Sequence, residues 1–234
     1  MDFRTWLPHV EAMRGHLIRC GVAWVVAAVG VFVFKEAVLE VVLRPLHAAV
    51  PGINLLTTGV TDVFAAYIKL AVWGGLLLAV PVVLVEVWRF IRPALYPAER
   101  RLVGGLLLAV PVLSCVGILF GWWVLLPPML AFFLGFTAEG VVAMPRLADY
   151  ISLLVSTLGL LAVAFNFPLL LVGLVRLGVV QVATLAAQRR VVLVGMFAVS
   201  AVVTPTPDPL SMTLLAVPLY VLFEIALLVA KRMR

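Results

Sequence analysis

The sequence predicts an all-α integral membrane protein with six transmembrane helices, and two observations lead to this class. Of its 234 residues, 65% are hydrophobic and only 12% are charged, and the mean hydropathy is +1.23. A soluble domain of this length cannot bury so much apolar surface. The apolar runs are continuous instead of alternating every second residue, which favours helices over a β-barrel.

Six apolar runs follow one another within a single membrane domain. We expect transmembrane helices at 17–38, 63–87, 102–125, 151–175, 191–203 and 210–230. The fifth run is short, because its thirteen residues rise about 20 Å as a helix and a bilayer core is about 30 Å thick. Prolines predict a break at Arg44-Pro45, a helix end at Pro127-Pro128 and an interruption at Phe165–Pro168.

The Lys and Arg residues are distributed unevenly between the two sides that six spans would create. All but four of the 17 lie at the termini or in the second and fourth connectors between spans. The four exceptions are Lys35, Arg44, Lys69 and Arg146. By the positive-inside rule, both termini and the second connector are therefore expected to be cytoplasmic. Because these charges are explained by topology, the net charge of +6 does not call for a nucleic-acid partner.

The most distinctive stretch is the arginine-rich connector (Val85–Arg101), which reads V-E-V-W-R-F-I-R-P-A-L-Y-P-A-E-R-R. Its prolines, Pro93 and Pro97, stiffen the backbone. Glu99 is its only carboxylate after Val87, and it stands among arginines. From the residues alone, both a solvated loop glutamate and a binding carboxylate remain open.

Three polar residues within the apolar runs need partners, because an unpaired polar group is costly in lipid. Glu86 lies three residues before Arg89, a spacing that favours an ion pair on the helix surface. Asn166 either pairs with backbone groups freed at the proline or forms a polar spot in an apolar face. Glu224 is expected to make an inter-helix hydrogen bond.

Four sequence elements, taken together, resemble one known family. They are F-I-R-P-A-L-Y-P-A-E-R-R at 90–101, H-V-E-A-M-R at 9–14, T-P-T-P-D-P-L-S at 204–211 and P-L-Y-V-L-F-E at 218–224. In this order and spacing they are similar to TatC, the six-helix core receptor of the twin-arginine protein translocase, which has a concave bundle with short fifth and sixth helices. The resemblance covers nearly the whole chain.

The resemblance implies a function without catalytic chemistry, cofactor or metal. The protein would bind twin-arginine signal peptides at its cytoplasmic face. With TatA- and TatB-type single-span partners and further TatC copies, it would export folded proteins across the cytoplasmic (inner) membrane, driven by the proton-motive force. The alternative is a secondary transporter of ions or small solutes with a midplane polar site, although the two halves show no repeated pair of broken helices.

The resemblance also implies three groups of site residues. Glu99 matches the family glutamate that contacts the twin arginines, and a carboxylate pairs bidentately with a guanidinium. The other signal-peptide-binding residues implied are His9, Glu11, Arg14, Phe90, Pro93, Leu95, Tyr96 and Arg100. The intramembrane polar or partner-binding residues are Asn166, Glu86, Tyr220 and Glu224, and the external structural residues are Asp62, Phe64, Pro205 and Asp208.

The N-terminal element departs from the family pattern H-L-x-E-L-R-x-R. Ala12 stands where the family has its second glutamate, and Glu11 precedes it by one residue, which turns the position by about 100° on a helix. His16 replaces the last arginine, and Asn166 stands where the family often has glutamate or glutamine. Either Glu11 substitutes for the missing carboxylate or Glu99 acts nearly alone.

Overall fold

The computed structural model describes residues 3–135, 144–176, 178–203 and 208–232, which are almost entirely helical. The helices are α1 (Phe3–Val33), α2 (Lys35–Ala49), α3 (Asp62–Ile91), α4 (Pro97–Phe120), α5 (Leu126–Gly135), α6 (Leu147–Ala164), α7 (Phe167–Arg176), α8 (Val182–Ala187), α9 (Arg189–Val203) and α10 (Pro209–Arg232). A 3₁₀ turn, Arg92–Ala94, follows α3, and a π-helical turn, Gly121–Leu125, joins α4 to α5. The predicted all-α class is confirmed.

Within the described part of the chain, five helical segments are long and apolar enough to cross a membrane. They are Met13–Val33, Asp62–Ile91, Val103–Gly135, Leu147–Arg176 and Pro209–Arg232. Helix α9 has only 15 residues and rises about 22 Å, so the predicted fifth span is short. Helix α10 has 24 residues, so the expectation of a short sixth helix does not hold for its length.

Two of the three proline predictions are wrong. Pro45 lies inside α2, and the chain interrupts its regular helix earlier, at Phe34. A single proline removes one intrahelical hydrogen bond and need not end a helix. Pro127 and Pro128 also lie within helical structure, in the first turn of α5 directly after the π turn. The predicted interruption at Phe165–Pro168 is confirmed, since α6 ends at Ala164 and α7 begins at Phe167.

The first of two compact units comprises Met1–Val42 and Gly59–Pro111, and its core is the contact between α1 and α3. The two helices approach each other closely where Gly75 faces Ala28. A Cβ atom added at Gly75 would lie 2.6 Å from the Ala28 Cα, so no larger residue fits there. Close by, Trp24 Nε1 donates a hydrogen bond to the Val72 carbonyl (2.9 Å). Small residues at such crossings let membrane helices pack backbone to backbone.

The second unit comprises Leu43–Thr58 and Val112–Arg234, and α10 is its central helix. Helix α10 packs against α7, α8, α9 and the π turn. Its buried residues recur every three or four positions, which places them on one face: Ser211, Leu215, Ala216, Leu219, Phe223, Ala226, Leu227 and Ala230. The loop after α2 is attached to the start of α6, because Leu56 N donates to the Pro145 carbonyl (3.0 Å) and Leu147 N donates to the Leu56 carbonyl (3.1 Å).

The crossing of α1 and α3 predicts that Gly75 tolerates no large side chain. Gly75→Leu should lower the free energy of unfolding by about 1–3 kcal/mol, because the side chain would be forced into the Ala28 backbone. Thermal unfolding of the full chain in detergent measures this loss. Gly30→Leu is the matched control, since a Cβ atom there meets nothing within 4 Å. Equal losses for both variants would contradict the close crossing.

Candidate functional site around Glu86 and the arginine-rich connector

Glu86 is a buried carboxylate one turn before the end of α3, and three basic side chains surround it. Its Oε2 atom accepts from His16 Nδ1 (2.6 Å) and Arg19 Nε (2.8 Å), and its Oε1 atom accepts from Arg89 Nη1 (2.9 Å). The Glu86 side chain is only 4% exposed, whereas Arg19 and Arg89 are 54% and 63% exposed. These four residues are called the Glu86 cluster below.

Helix spacing explains why the Glu86 cluster forms. His16 and Arg19 are three residues apart on α1, so they share one helix face, and Glu86 and Arg89 share a face of α3 in the same way. A buried carboxylate is tolerated where every oxygen is hydrogen-bonded to a cationic or polar donor. The two arginines outnumber the single carboxylate, so the Glu86 cluster keeps an excess of positive charge.

The Glu86 cluster is continuous with the arginine-rich connector. The His16 and Phe90 rings meet edge to face with their centroids 5.7 Å apart. Trp88 covers Gly104 near the start of α4, where an added Cβ atom would lie 3.1 Å from the indole. These ring contacts hold the end of α3 against α1 on one side and α4 on the other.

The arginine-rich connector forms a short, ordered link whose outer side chains face the surroundings. After the 3₁₀ turn, Arg100 Nε donates back to the Leu95 carbonyl (3.2 Å). Pro97 occupies the first position of α4, where its missing N–H costs nothing. Tyr96 is 75% exposed and Phe90 is 40% exposed. Pro93, Arg100 and, on α1, Arg14 are also exposed, whereas Leu95 is half-buried.

The backbone positions of the expected signal-peptide carboxylates are defined, although their side chains lie outside the part described. Glu99 is the third residue of α4, and the first turn of a helix favours a negative charge. His9 and Glu11 belong to α1. Position 12, the place of the missing family glutamate, lies one turn before His16 and therefore on the same helix face. Position 11 is turned away from that face by about 100°.

The sequence therefore located part of the Glu86 cluster. The predicted pair of Glu86 and Arg89 is confirmed, but its placement on the helix surface is wrong, because α1 covers the carboxylate. The partners His16 and Arg19 were missed. A signal in the sequence could have found them. His16 and Arg19 are a basic pair three residues apart where the first span begins. Glu86 is a lone acid where the second span ends, and the two places are expected at the same membrane depth.

In the second unit, Asn166 occupies the interruption between α6 and α7. Its Nδ2 donates to the Ala162 carbonyl (2.7 Å) and to Ser114 Oγ (2.7 Å) on α4. The amide therefore pairs with a carbonyl released at the helix break, as one of the two sequence interpretations expected. Asn166 Oδ1 is buried and has no hydrogen-bond partner among the described residues.

Glu224 connects two helices of the second unit. Arg189, at the start of α9, donates to its carboxylate through both Nε (2.9 Å) and Nη2 (3.0 Å), and Tyr220 donates its hydroxyl to Oε1 (3.1 Å). The expected inter-helix hydrogen bond of Glu224 is confirmed. The bidentate geometry makes this a well-defined ion pair between α9 and α10.

Among the residues that the resemblance places on the external side, two aspartates lie at helix starts. Asp62 accepts from the Gly59 amide (2.9 Å) before α3, and Asp208 accepts from the Ser211 amide (2.8 Å) at the start of α10. Phe64 is 60% exposed. Pro205 lies outside the described residues. The described ranges contain no group of three His, Cys, Asp or Glu side chains that could hold a metal ion.

The helices and their polar contacts define a class: a multi-pass α-helical membrane protein with a basic connector supported by a buried carboxylate. The sequence model of the family described as Sec-independent protein translocase protein (TatC) matches residues 8–218. The chain therefore belongs to the TatC family, whose members are components of a membrane protein translocase. The resemblance drawn from the motifs is confirmed.

Individual TatC proteins are similar to this chain over nearly its full length. TatC of Azotobacter chroococcum mcd 1 is 37% identical over 227 residues, which cover 97% of this chain and 89% of the relative. TatC of Escherichia coli (strain K12) is 35% identical over 225 residues, covering 96% and 87%. The structure described as "Crystal Structure of Twin Arginine Translocase Receptor- TatC in DDM" has a TM-score of 0.79 and 32% identity, covering 95% of this chain and 99% of that one.

The Glu86 cluster predicts strong coupling between Glu86 and Arg19. The losses in melting temperature from Glu86→Gln and Arg19→Gln should not add in the double variant, because either change already breaks the same contact. The measurement is a double-mutant cycle on the full chain in detergent. Arg101→Gln, an exposed change on α4, is the control whose effect should add to that of Glu86→Gln. Additive losses for Glu86 and Arg19 would mean that the two side chains do not interact.

Proposed function

We propose that this protein is the signal-peptide-binding core subunit of a twin-arginine translocase, with Glu99 as the main acceptor for the signal-peptide arginines. Membership in the TatC family supports a role in protein translocation. A related crystal structure is that of a twin-arginine translocase receptor. In this chain, Glu99 would be the residue that carries out that receptor role.

The observation that carries the proposal is that Glu86 is already neutralised by the protein itself. Three basic groups saturate its oxygens and α1 covers it, so it is not an acceptor for a ligand's guanidinium. Glu99 is the remaining carboxylate of the arginine-rich connector. Exposed neighbours, including Phe90, Tyr96 and Arg100, flank it and form the rest of the proposed binding surface with Arg14 of α1.

The excess positive charge of the Glu86 cluster supports selectivity among cationic peptides. A cationic peptide approaching this end of the first unit meets several exposed arginines, which repel it unless its own arginines reach a carboxylate. Two adjacent guanidinium groups can satisfy Glu99 and a second acceptor in a defined geometry. Glu11 is the candidate for that second acceptor, and His9 would contribute from the same stretch of α1.

We also propose the remaining features of the family for this chain. The distribution of Lys and Arg supports cytoplasmic termini and a cytoplasmic connector in the inner membrane, with Asp62, Phe64, Pro205 and Asp208 outside. TatA- and TatB-type partners and further copies would pack beside Asn166 and the face of α10 that carries Tyr220 and Glu224. Export would be driven by the proton-motive force. The transporter alternative is less well supported, since the Asn166 Nδ2 group and the Glu224 carboxylate both bond to the protein's own groups.

The role of Glu99 is tested by photo-crosslinking a twin-arginine signal peptide to the full chain in membranes. Glu99→Ala should lower crosslinking by about tenfold or more, because a charged hydrogen-bonded pair is lost. Export of a folded reporter should fall in parallel in cells that lack their own TatC. The matched control is Glu40→Ala, an exposed glutamate of α2 outside the arginine-rich connector. Crosslinking and export at wild-type levels in Glu99→Ala would refute the assignment.

A second test concerns the displaced N-terminal carboxylate. If Glu11 is the second acceptor, Glu11→Gln should weaken signal-peptide crosslinking severalfold, because one charge-assisted pair becomes a neutral one. Ala12→Glu should be tolerated or should increase binding, since it restores the family pattern. Wild-type behaviour of Glu11→Gln, together with loss of binding in Glu99→Ala, would mean that Glu99 acts without this partner.

A further inference from the structure

An apolar groove runs along the first unit between α1 and α3, away from the Glu86 cluster. Its volume is about 400 Å³. The side chains that form its walls include Trp24, Val25, Val29 and Phe32 of α1 and Ile68 and Val72 of α3. All of these positions lie within segments long and apolar enough to cross a membrane, so the groove opens within the hydrocarbon region.

The groove is open along its side. Val25 and Val29 are 58% and 59% exposed, and Ile68 is 41% exposed. At its inner side, the close crossing of Ala28 and Gly75 brings the helix backbones together and limits the depth. An open, wholly apolar channel of this kind excludes water and needs an apolar occupant.

The cation Lys35 lies near one end of the groove. Lys35 follows the last turn of α1, and its Nζ lies 5.3 Å from the centre of the Phe32 ring and 5.4 Å from that of Tyr67. Lys35 forms no ion pair with Glu36 or with any other carboxylate of the described ranges. Because Phe32 also lines the groove, the ammonium group lies at the Phe32 end of the apolar channel.

The dimensions of the groove match one lipid chain. The eight-residue step from Trp24 to Phe32 rises about 12 Å, close to half of a 30 Å bilayer core. The groove has a volume of about 400 Å³, and its walls are apolar side chains along that length. Methylene chains pack at carbon–carbon distances of about 4 Å, so a narrow groove of this length can take one acyl chain.

We propose that this groove is a binding site for an anionic phospholipid of the leaflet opposite the N-terminal end of α1. One acyl chain lies between Trp24 and Phe32 against α3, and the phosphate pairs with the Lys35 ammonium. The site is independent of signal-peptide binding, because it lies along the span beyond the Glu86 cluster. Its effect is to fill the space beside the crossing of α1 and α3 and so to stabilise their packing.

The site is tested by native mass spectrometry of the full chain in detergent with phosphatidylglycerol added. One lipid per chain should be retained, and Lys35→Gln should lower the retained fraction about fivefold, as expected for one interfacial phosphate contact. Lys35→Arg should keep it. Phosphatidylcholine, which carries no net charge, should be retained less than phosphatidylglycerol. Equal retention of phosphatidylglycerol by wild type and Lys35→Gln would overturn the assignment of Lys35.

A second measurement identifies the occupant of the groove. A photoreactive residue replaces Val29 in the groove or Val26, which is similarly exposed on α1 but is not part of the wall. The chain is placed in vesicles of phosphatidylglycerol and phosphatidylethanolamine in a ratio of about 1:3, a composition that supplies the anionic surface. A phosphatidylglycerol adduct enriched at position 29 over position 26 supports the proposal. A protein adduct with a second copy, or equal lipid adducts at both positions, overturns it.

Discussion

The first unit depends on one buried charge. Glu86 can lie inside a membrane protein only because His16, Arg19 and Arg89 supply hydrogen-bond donors to both of its oxygens. Two of these donors belong to α1, so the carboxylate sets both the rotation of α1 and its height relative to α3. The same contact orients the last turn of α3, from which the arginine-rich connector departs. The position of the proposed recognition surface therefore depends on the contacts of Glu86, which itself does not bind the signal peptide.

The remaining structure combines close helix packing with tolerated irregularities. Gly75 and Gly117 allow backbone approach, since a Cβ atom at Gly117 would lie 2.7 Å from the Leu161 carbonyl oxygen. The irregularities are the π turn at Gly121–Leu125 and the break at Asn166. Each of them releases backbone groups from regular helical hydrogen bonding. Asn166 satisfies one released carbonyl with its own amide. In lipid such compensation must come from the protein itself.

Much of the fold was accessible from the sequence, and the errors have a common cause. The apolar runs at 63–87 and 210–230 correspond to α3 and α10, and the short α9 and the interruption before α7 were expected. The helix breaks expected at Pro45 and Pro127 did not occur. Proline rules describe one local hydrogen bond, whereas the continuation of a helix depends on the turns before it and on its packing. At the site, the i,i+3 pair of Glu86 and Arg89 was visible, because both residues lie on one helix.

Composition, hydrophobic run length and motif order by themselves determined that this chain is a multi-pass helical membrane protein of the TatC family. These properties are local or summed over the chain, and they do not require knowledge of which helices touch. Only the tertiary structure decided that Glu86 is buried and bound by His16 and Arg19, and that Arg189 holds Glu224 with two hydrogen bonds. Such pairs join residues far apart in sequence, so their formation depends on the rotation and depth of each helix.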